Sequence, residues 1–290
     1  MRRSPSTFLA AALCLRKWAY LYLGPRGPEH VTFGSALGKA IHRCLEGYPE
    51  TPLGEVDLST LDYGTLTKVQ IATIAEEAPR RALVCLEYVP RPEQCVRLEK
   101  EHPVSLNPPM IGGEGVEITN KSSIDLLAVL GGGTVIVVDY KSTRGGGQPY
   151  DPWHWSLNEV ALPRNVQAVI YGLAAMVECR VSEVELRWIY TLTDLRYEPR
   201  SYLVRATLSW EDAIVAVQPW WELGRLLNVI ELAFADGSAT VDDVPFSIAG
   251  CDAYGGCQFS GVCSANRNQS ATNSRRMNHE PDRKTKDTVA

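Results

Sequence analysis

The first part of the chain carries hydrophobic residues at helical spacing. Ser4 and Ser6 are candidate N-caps for a helix over roughly residues 6–23, which the Gly- and Pro-rich residues 24–28 end. A second helix is predicted over residues 33–47. Its apolar stripe consists of residues spaced four apart, namely Phe33, Leu37, Ile41 and Leu45.

The middle of the chain changes to strands. Residues 96–106 alternate between polar and apolar, and residues 122–130 are largely apolar. After the turn residues Gly131 to Gly133, residues 134–141 form another apolar run. Two such runs joined by a glycine turn predict a β-hairpin. The elements expected beyond it are a helix over 164–178, strands near 183–193 and 200–207, and a helix over about 210–235.

The order of these elements predicts an α/β fold, with a mixed central sheet flanked by helices. We expect four regions along the chain. The first is an N-terminal helical region over residues 1–95, which is mostly helical with proline interruptions from residue 50. A core follows over 96–210, and then a C-terminal helix and cysteine segment over 211–264. The last region is a polar, disordered tail over 265–290.

Composition limits the class of protein. With 290 residues, 45% of them hydrophobic, the chain can build one substantial core, or one core with a small appendage. No apolar run approaches the roughly 20 residues that span a bilayer. The N-terminal apolar stretch lacks a cleavage site and runs into Arg16 and Lys17, so we expect an amphipathic helix and a cytoplasmic protein.

The net charge of −5 excludes nucleic-acid binding by bulk electrostatics alone. It is compatible with a site in which carboxylates hold metal ions. Contacts to phosphate would then come from local cationic side chains, of which the candidates are Arg2, Arg3, Arg16, Lys17, Lys141 and Arg144.

Polar residues gather where the predicted hairpin strands end. Asp139 and Lys141 project from the same face of one strand, because side chains alternate along it, and Tyr140 points the other way. Asp125, on the preceding strand, can reach the same end of the sheet. Two carboxylates form a hard-oxygen site suited to Mg²⁺ or Mn²⁺, and a neighbouring lysine can stabilise charge on a phosphate. A solvated strand end is the alternative reading of the same residues.

Two helices carry further candidates. Gln167 and Tyr171 are four residues apart and therefore share one helix face. His42 shares its face with Gly34 and Gly38, which would allow close approach of another element. A structural histidine and an unremarkable polar pair are the alternatives.

The eight cysteines are unevenly distributed. Cys44, Cys85, Cys95 and Cys179 are scattered and are expected to be ordinary core or surface residues. The others include the closely spaced set Cys251, Cys257 and Cys263, with five residues in each gap. Three thiolates leave a metal site one ligand short, and buried or disulfide-linked cysteines are the alternative.

The ordered set of candidate residues resembles the PD-(D/E)XK nuclease superfamily, in particular its RecB-like branch. The resemblance covers roughly residues 4–264 and rests on His42, Asp125, Asp139-x-Lys141 and Gln167-x-x-x-Tyr171. The dipeptide Ile124-Asp125 stands for the Pro-Asp of the superfamily name. The opening residues also resemble that branch, through Ser4, Pro5, Ser6, Cys14, Arg16, Lys17 and Tyr20.

The resemblance implies a role for each of these residues and a restriction-endonuclease-like core. His42, Asp125, Asp139 and the carbonyl of Tyr140 would bind Mg²⁺ or Mn²⁺. Lys141 would be catalytic. Gln167 and Tyr171 would support the site or touch DNA.

The resemblance also supplies a fourth cysteine. Iron–sulfur nucleases of the AddB type, and related CRISPR-associated and phage exonucleases, hold a [4Fe–4S] cluster with one N-terminal and three C-terminal cysteines. By this resemblance Cys14 would join Cys251, Cys257 and Cys263. The usual C-terminal spacing is C-x2-C-x5-C, so the first gap departs from the pattern, and zinc is the alternative metal.

These features predict a Mg²⁺- or Mn²⁺-dependent DNA exonuclease that acts on single-stranded ends. By the resemblance, the setting would be DNA repair, phage recombination or CRISPR adaptation, with a helicase or an adaptation or recombination protein as partner. The chain lacks a GxxxxGK[ST] motif, so any unwinding of duplex DNA would come from a partner. The rival is a non-catalytic DNA-binding or scaffolding module with structural zinc.

Four other residues have weaker signals. Trp153 and Trp155 follow the hairpin and could stack on the bases of a single strand, or pack within their loop. Glu99 and Glu101 share one face of the first strand, and either could add a carboxylate to the metal site.

Overall fold

A computed structural model describes residues 4–24, 31–106, 118–143 and 157–247, together with Cys257, Phe259 and Cys263. The helices are α1 (Pro5–Leu13), α2 (Leu15–Tyr22), α3 (Phe33–Gly47), α4 (Lys68–Cys85), α5 (Val166–Cys179) and α6 (Trp210–Ala235). The strands are β1 (Cys95–Leu106), β2 (Ile118–Leu130), β3 (Val135–Thr143), β4 (Glu183–Leu192) and β5 (Ser201–Ser209). None of the helices in these ranges is long and apolar enough to cross a membrane.

The five strands form one sheet in the order β1-β2-β3-β4-β5. β3 and β4 are parallel and are joined by α5, whereas the other neighbouring pairs are antiparallel. This is the mixed sheet that the sequence predicts, because a helical crossover is what returns the chain to a parallel neighbour. The predicted hairpin is confirmed by the β2–β3 pairing, and Gly133 adopts a φ of 86° in its turn.

Helices cover both faces of this sheet. Ile136, Val138 and Tyr140 of β3 belong to one buried cluster together with α3 and α4. The intervening residues of β3 face α5, whose Gly172 allows close packing, since a Cβ there would lie 2.6 Å from Leu208 Cδ2. The predicted α/β class, a mixed sheet flanked by helices, is therefore confirmed.

The chain divides into two compact units. Unit 1 comprises Met1–Phe8 and Gly27–Arg225, and includes the whole sheet. Unit 2 comprises Leu9–Arg26 and Leu226–Ala290. Within unit 2 the guanidinium of Arg16 is buried and donates to the carbonyls of Val244 (2.8 Å) and Asp242 (2.7 Å). The expectation that Arg16 contacts phosphate is therefore wrong, because its donors hold this unit together.

Two expectations for the N-terminal region need correction. The helix predicted over residues 6–23 is interrupted at Cys14, whose extended backbone (φ −166°) and sulfur acceptor make it the N-cap of α2. The region from 50 to 95 is less helical than expected, since α4 is accompanied only by short 3₁₀ turns. The helix predicted over 33–47 is confirmed by α3, which Thr32 and Ser35 begin with a capping box.

Candidate active site

The predicted carboxylates meet at the end of the hairpin. The last backbone-paired residues of β2 and β3 are Leu126 and Val138, so Asp125 and Asp139 come next on their strands. Beyond this pair, the backbone N–H of Tyr140 donates to Asp125 Oδ2 at 2.6 Å. The side chain of Asp125 thus ties β2 to the middle of the Asp139-Tyr140-Lys141 segment.

A hydrogen-bonded network connects Asp139 and Lys141 to α5. Gln167 receives a bond from Lys141 Nζ on its Oε1 (2.8 Å) and donates from its Nε2 to Asp139 Oδ1 (2.9 Å). The same amide nitrogen donates to the hydroxyl of Tyr171 (3.0 Å). Lys141 also forms an ion pair with Asp139 and lies 5.9 Å from the centre of the Trp188 ring. The amide group therefore holds both charged residues of β3 in place.

The centre places two carboxylates close to one ammonium. Asp139 is buried, with 2% of its surface exposed, and its Oδ2 forms the ion pair with Lys141. Asp125 is half-buried and accepts only the neutral Tyr140 N–H among the hydrogen bonds described above, so the pair of carboxylates has one cationic partner. Carboxylate oxygens beside an imidazole are ligands for a hard divalent cation, which would offset the excess negative charge, so the chemistry of the donor set fits a divalent metal ion.

His42 approaches the carboxylates from α3. Its Nδ1 lies 3.7 Å from Asp125 Oδ2, and its ring packs edge-on against Tyr140, with 5.8 Å between centroids. Gly38 permits this approach, because a Cβ there would lie 3.0 Å from Ser142 Cβ and closer still to Ser142 Oγ. The predicted function of Gly38, close approach of a neighbouring element, is confirmed.

Burial shifts the pKa values of His42 and Asp125 in the direction that favours the neutral form of each side chain. The pKa of Asp125 is raised well above its usual value, first by burial and then by the negative charge of Asp139. The pKa of His42 is lowered, mainly by burial. A neutral imidazole can ligate a metal ion, and an adjacent cation would favour ionised Asp125.

Two further acidic residues lie at this centre. Glu46 follows His42 by one helical turn, and its negative charge contributes to the raised pKa of Asp125. Glu101 of β1 lies opposite Asp125 of β2, because Lys100 pairs with Leu126 and His102 pairs with Ile124. The backbone of Glu101 has a φ of 47°. Burial and the charge of Glu101 raise the pKa of Glu46. Glu46 was not among the residues predicted from sequence, although its spacing from His42 along α3 is a signal that could have identified it.

Glu99 has a different environment. Its Oε2 contacts His102 Nδ1 at 2.6 Å, and His102 Nε2 contacts Glu178 at 2.8 Å. Among the described residues, one group of three potential metal-binding side chains has its ligand atoms within 4.8 Å of one another, and it consists of Glu99, His102 and Glu178. Arg97 forms ion pairs with both glutamates, so they already have a cationic partner. Of the two glutamates considered from sequence, Glu101 is therefore the one at the Asp125 centre.

The cysteines of the predicted cluster belong to one unit. Cys14, Cys257 and Cys263, the members of the set that the structure describes, fall within unit 2. The sulfur of Cys14 accepts hydrogen bonds from the backbone N–H of Lys17 (3.5 Å) and Ser247 (3.4 Å). The seven cysteines in the described part of the chain are free thiols, and none of them belongs to a set of three ligands within 4.8 Å. The cluster stays a prediction.

Several predicted residues lie outside the described ranges. They are Arg2, Arg3, Arg144, Trp153, Trp155 and Cys251, together with the tail over 265–290. The scattered residues Cys44 and Cys85 are buried, and burial raises the pKa of their thiols to about 11 and about 12.

Comparisons with known proteins show the family of the chain. No curated protein matches the chain. A solved structure described as the crystal structure of SSO0001 shares 15% sequence identity, with 89% of this chain and 97% of that chain covered and a TM-score of 0.30. A family model, that of the PD-(D/E)XK nuclease superfamily, matches residues 2–264. Nucleases of this superfamily use divalent metal ions. With its match over nearly the whole length, the chain belongs to the PD-(D/E)XK nuclease superfamily.

Proposed function

We propose that this protein is a Mg²⁺- or Mn²⁺-dependent deoxyribonuclease that hydrolyses phosphodiester bonds. The observation that carries the proposal is the network in which Gln167 holds Asp139 and Lys141 beside the carboxylate of Asp125. A structural ion pair would need one carboxylate for the Lys141 ammonium, whereas here buried Asp139 and half-buried Asp125 share the centre, and a divalent cation would balance the second negative charge.

The chain's own groups divide into metal ligands and a positioned cation. Asp125, Asp139, His42 and the carbonyl of Tyr140 would hold the divalent ion, which when bound supplies an activated water and neutralises charge on the phosphate. The Lys141 ammonium, fixed by Gln167 Oε1, lies where it can stabilise negative charge that develops on the phosphate.

Gln167 and Tyr171 act as positioning residues in this proposal. The Gln167 amide can bond Lys141 with its oxygen and Asp139 with its nitrogen only in one orientation. The Tyr171 hydroxyl accepts a bond from the same nitrogen and so favours that orientation. Such supporting groups affect catalysis through the geometry of the residues they hold.

The finer assignment follows the resemblance to RecB-like nucleases. We propose an exonuclease that digests single-stranded DNA ends, in repair, recombination or CRISPR adaptation, together with a helicase or an adaptation partner. The rival is a non-catalytic DNA-binding or scaffolding module, and no specific feature of the described residues favours it.

We also propose that Cys14, Cys251, Cys257 and Cys263 hold a structural [4Fe–4S] cluster, with zinc as the alternative. The backbone N–H groups that point at Cys14 Sγ support a thiolate ligand, because hydrogen bonds to sulfur stabilise its negative charge. In a cytoplasmic protein, which we also propose, clustered cysteines more often bind metal than form disulfides.

The test is digestion of end-labelled single-stranded and duplex DNA by anaerobically purified protein, in Mg²⁺, Mn²⁺ or EDTA. We expect cleavage with either metal, none in EDTA, and none by the Lys141→Ala variant. The product ladder gives the polarity of digestion. If folded wild-type protein does not cleave DNA, or if Lys141→Ala cleaves as well as wild type, the nuclease assignment is overturned in favour of the binding module.

A further inference from the structure

We infer that the cleft beside His42 binds the nucleic-acid backbone next to the scissile phosphate, through the cationic side chains of Lys39 and Arg43. The inference rests on the proposed nuclease function and names the part of unit 1 that would hold the substrate strand.

The cleft adjoins the proposed catalytic centre. Its volume is about 630 Å³, and its lining includes Ser35, Lys39, His42, Arg43, Thr60 and Ser142. His42 lies 3.7 Å from Asp125, and Ser142 directly follows Lys141 in β3. A strand whose phosphate is at Asp125 and Asp139 can therefore continue into this cleft.

One face of α3 supplies the charged side chains. Lys39, His42, Arg43 and Glu46 have the spacing i, i+3, i+4 and i+7, which places them on the same side of a helix. Lys39 and Arg43 are exposed, and 48% of the Arg43 side chain is accessible. The two cations thus flank His42, on the face that lines the cleft.

Arg43 is held loosely enough to bind a phosphate. Its Nη1 lies 3.5 Å from Glu46 Oε2, in an i,i+3 ion pair between an exposed guanidinium and a half-buried carboxylate. A guanidinium has five N–H donors, so this contact leaves others for phosphate oxygens. Glu46 therefore directs the side chain toward the cleft without using all of its donors.

The charge of the molecule makes these two cations significant. The chain has a net charge of −5, and its proposed catalytic centre gathers Glu46, Glu101, Asp125 and Asp139. Lys141 and a bound divalent ion would offset part of this negative charge, and Lys39 and Arg43 add positive charge beside it, where a polyanionic strand approaches. Phosphate contacts hold a strand in position regardless of sequence, and hydroxyls such as those of Ser35, Thr60 and Ser142 are common additional donors to phosphate.

The test measures binding of a fluorescein-labelled single-stranded oligonucleotide by anisotropy over a range of salt concentrations. The Lys141→Ala background prevents cleavage during the titration. Lys39→Gln with Arg43→Gln should weaken binding and make the slope of log K against log salt shallower by about 1.4, since each phosphate contact to a single strand contributes about 0.7. With Lys141 intact, the same pair of substitutions should raise KM and leave kcat unchanged.

Two matched variants isolate the effect. Arg80→Gln removes another helical arginine of similar exposure (53%), paired with Glu77 on α4, and should leave the salt slope unchanged. Arg43→Lys keeps the charge and should retain most of the slope. If the double variant binds with the slope of Arg80→Gln, the cleft is not the strand path. If wild-type protein binds through Lys39 and Arg43 but never cleaves, the nuclease proposal fails and the cleft assignment stands.

Discussion

The Tyr140 backbone N–H donates to Asp125 Oδ2 at 2.6 Å, just beyond the last paired residues of β2 and β3. A side chain here takes the place of a backbone acceptor. The bond fixes the carboxylate of Asp125 beside the segment that carries Asp139 and Lys141. It also leaves Asp125 Oδ2 within 3.7 Å of His42, so β2 joins groups from α3 and β3 at one centre.

Replacing Gln167 tests the network that supports this centre. Gln167→Ala removes the bonds to Lys141 and Asp139, and we expect kcat to fall about 10- to 100-fold with the fold intact. Tyr171→Phe removes only one acceptor and should have a smaller effect. Steady-state digestion of a labelled oligonucleotide, with circular dichroism as the fold control, measures both. Equal activity of Gln167→Ala and wild type would exclude the positioning role.

Replacing Asp125 separates stability from metal binding. Because the pKa of Asp125 is raised in the folded state, its ionisation destabilises the metal-free fold as the pH rises from the unfolded pKa through the folded pKa. Asp125→Asn keeps an acceptor for Tyr140 and lacks this charge. In EDTA at neutral pH we therefore expect its Tm to exceed that of wild type, by about 2–4 °C for each kcal/mol gained.

The same variant should lose the response to metal. The Tm of wild type should rise on addition of Mg²⁺ or Mn²⁺, since an ion that binds only the folded state stabilises that state. The Tm of Asp125→Asn should rise much less. Thermal unfolding from pH 5 to pH 8, with and without metal, measures both effects. A variant that is less stable than wild type in EDTA at all these pH values would contradict the assigned cost of ionised Asp125.

The sequence predicted those parts of the fold that local pattern determines. The bounds of α3 follow from the four-residue stripe ending at Leu45, and the hairpin follows from two apolar runs around Gly131 to Gly133. The positions of Asp125, Asp139 and Lys141 could be predicted because strand alternation and hairpin pairing bring them together.

Other features depend on tertiary structure that no local pattern contains. Strand alternation places Glu99 and Glu101 on one face, yet a φ of 47° at Glu101 breaks the alternation, and Glu99 instead contacts His102. The interruption of the first helix at Cys14 reflects a sulfur acceptor that the apolar pattern of residues 6–23 does not reveal.

Gly38 provides a test of the contact between α3 and β3. In Gly38→Ala the new methyl group would lie 3.0 Å from Ser142 Cβ and closer to its Oγ, so helix and strand must separate. We expect a loss of about 1–3 kcal/mol in the free energy of unfolding, with lower activity because His42 moves with α3. Ser142→Gly in the same chain removes both contacting atoms and should restore much of the stability in urea titrations. Additive losses in the double variant would show that this contact is not the cause.

The proposed cysteine cluster is tested by its colour, its metal content and its effect on unfolding. Wild-type protein purified without oxygen should be brown and absorb near 400 nm. Cys14→Ser should lose iron and unfold at a lower temperature, because the proposed metal ligands come from distant positions in the sequence. Cys179→Ser is the matched control, since that half-buried thiol lies in unit 1 at the end of α5, and it should keep the full iron content. A colourless protein with one zinc per chain, lost in Cys14→Ser, would assign the site to zinc, whose filled d shell gives no visible absorption. Full metal content and unchanged Tm in Cys14→Ser would remove Cys14 from the site, whichever metal is bound.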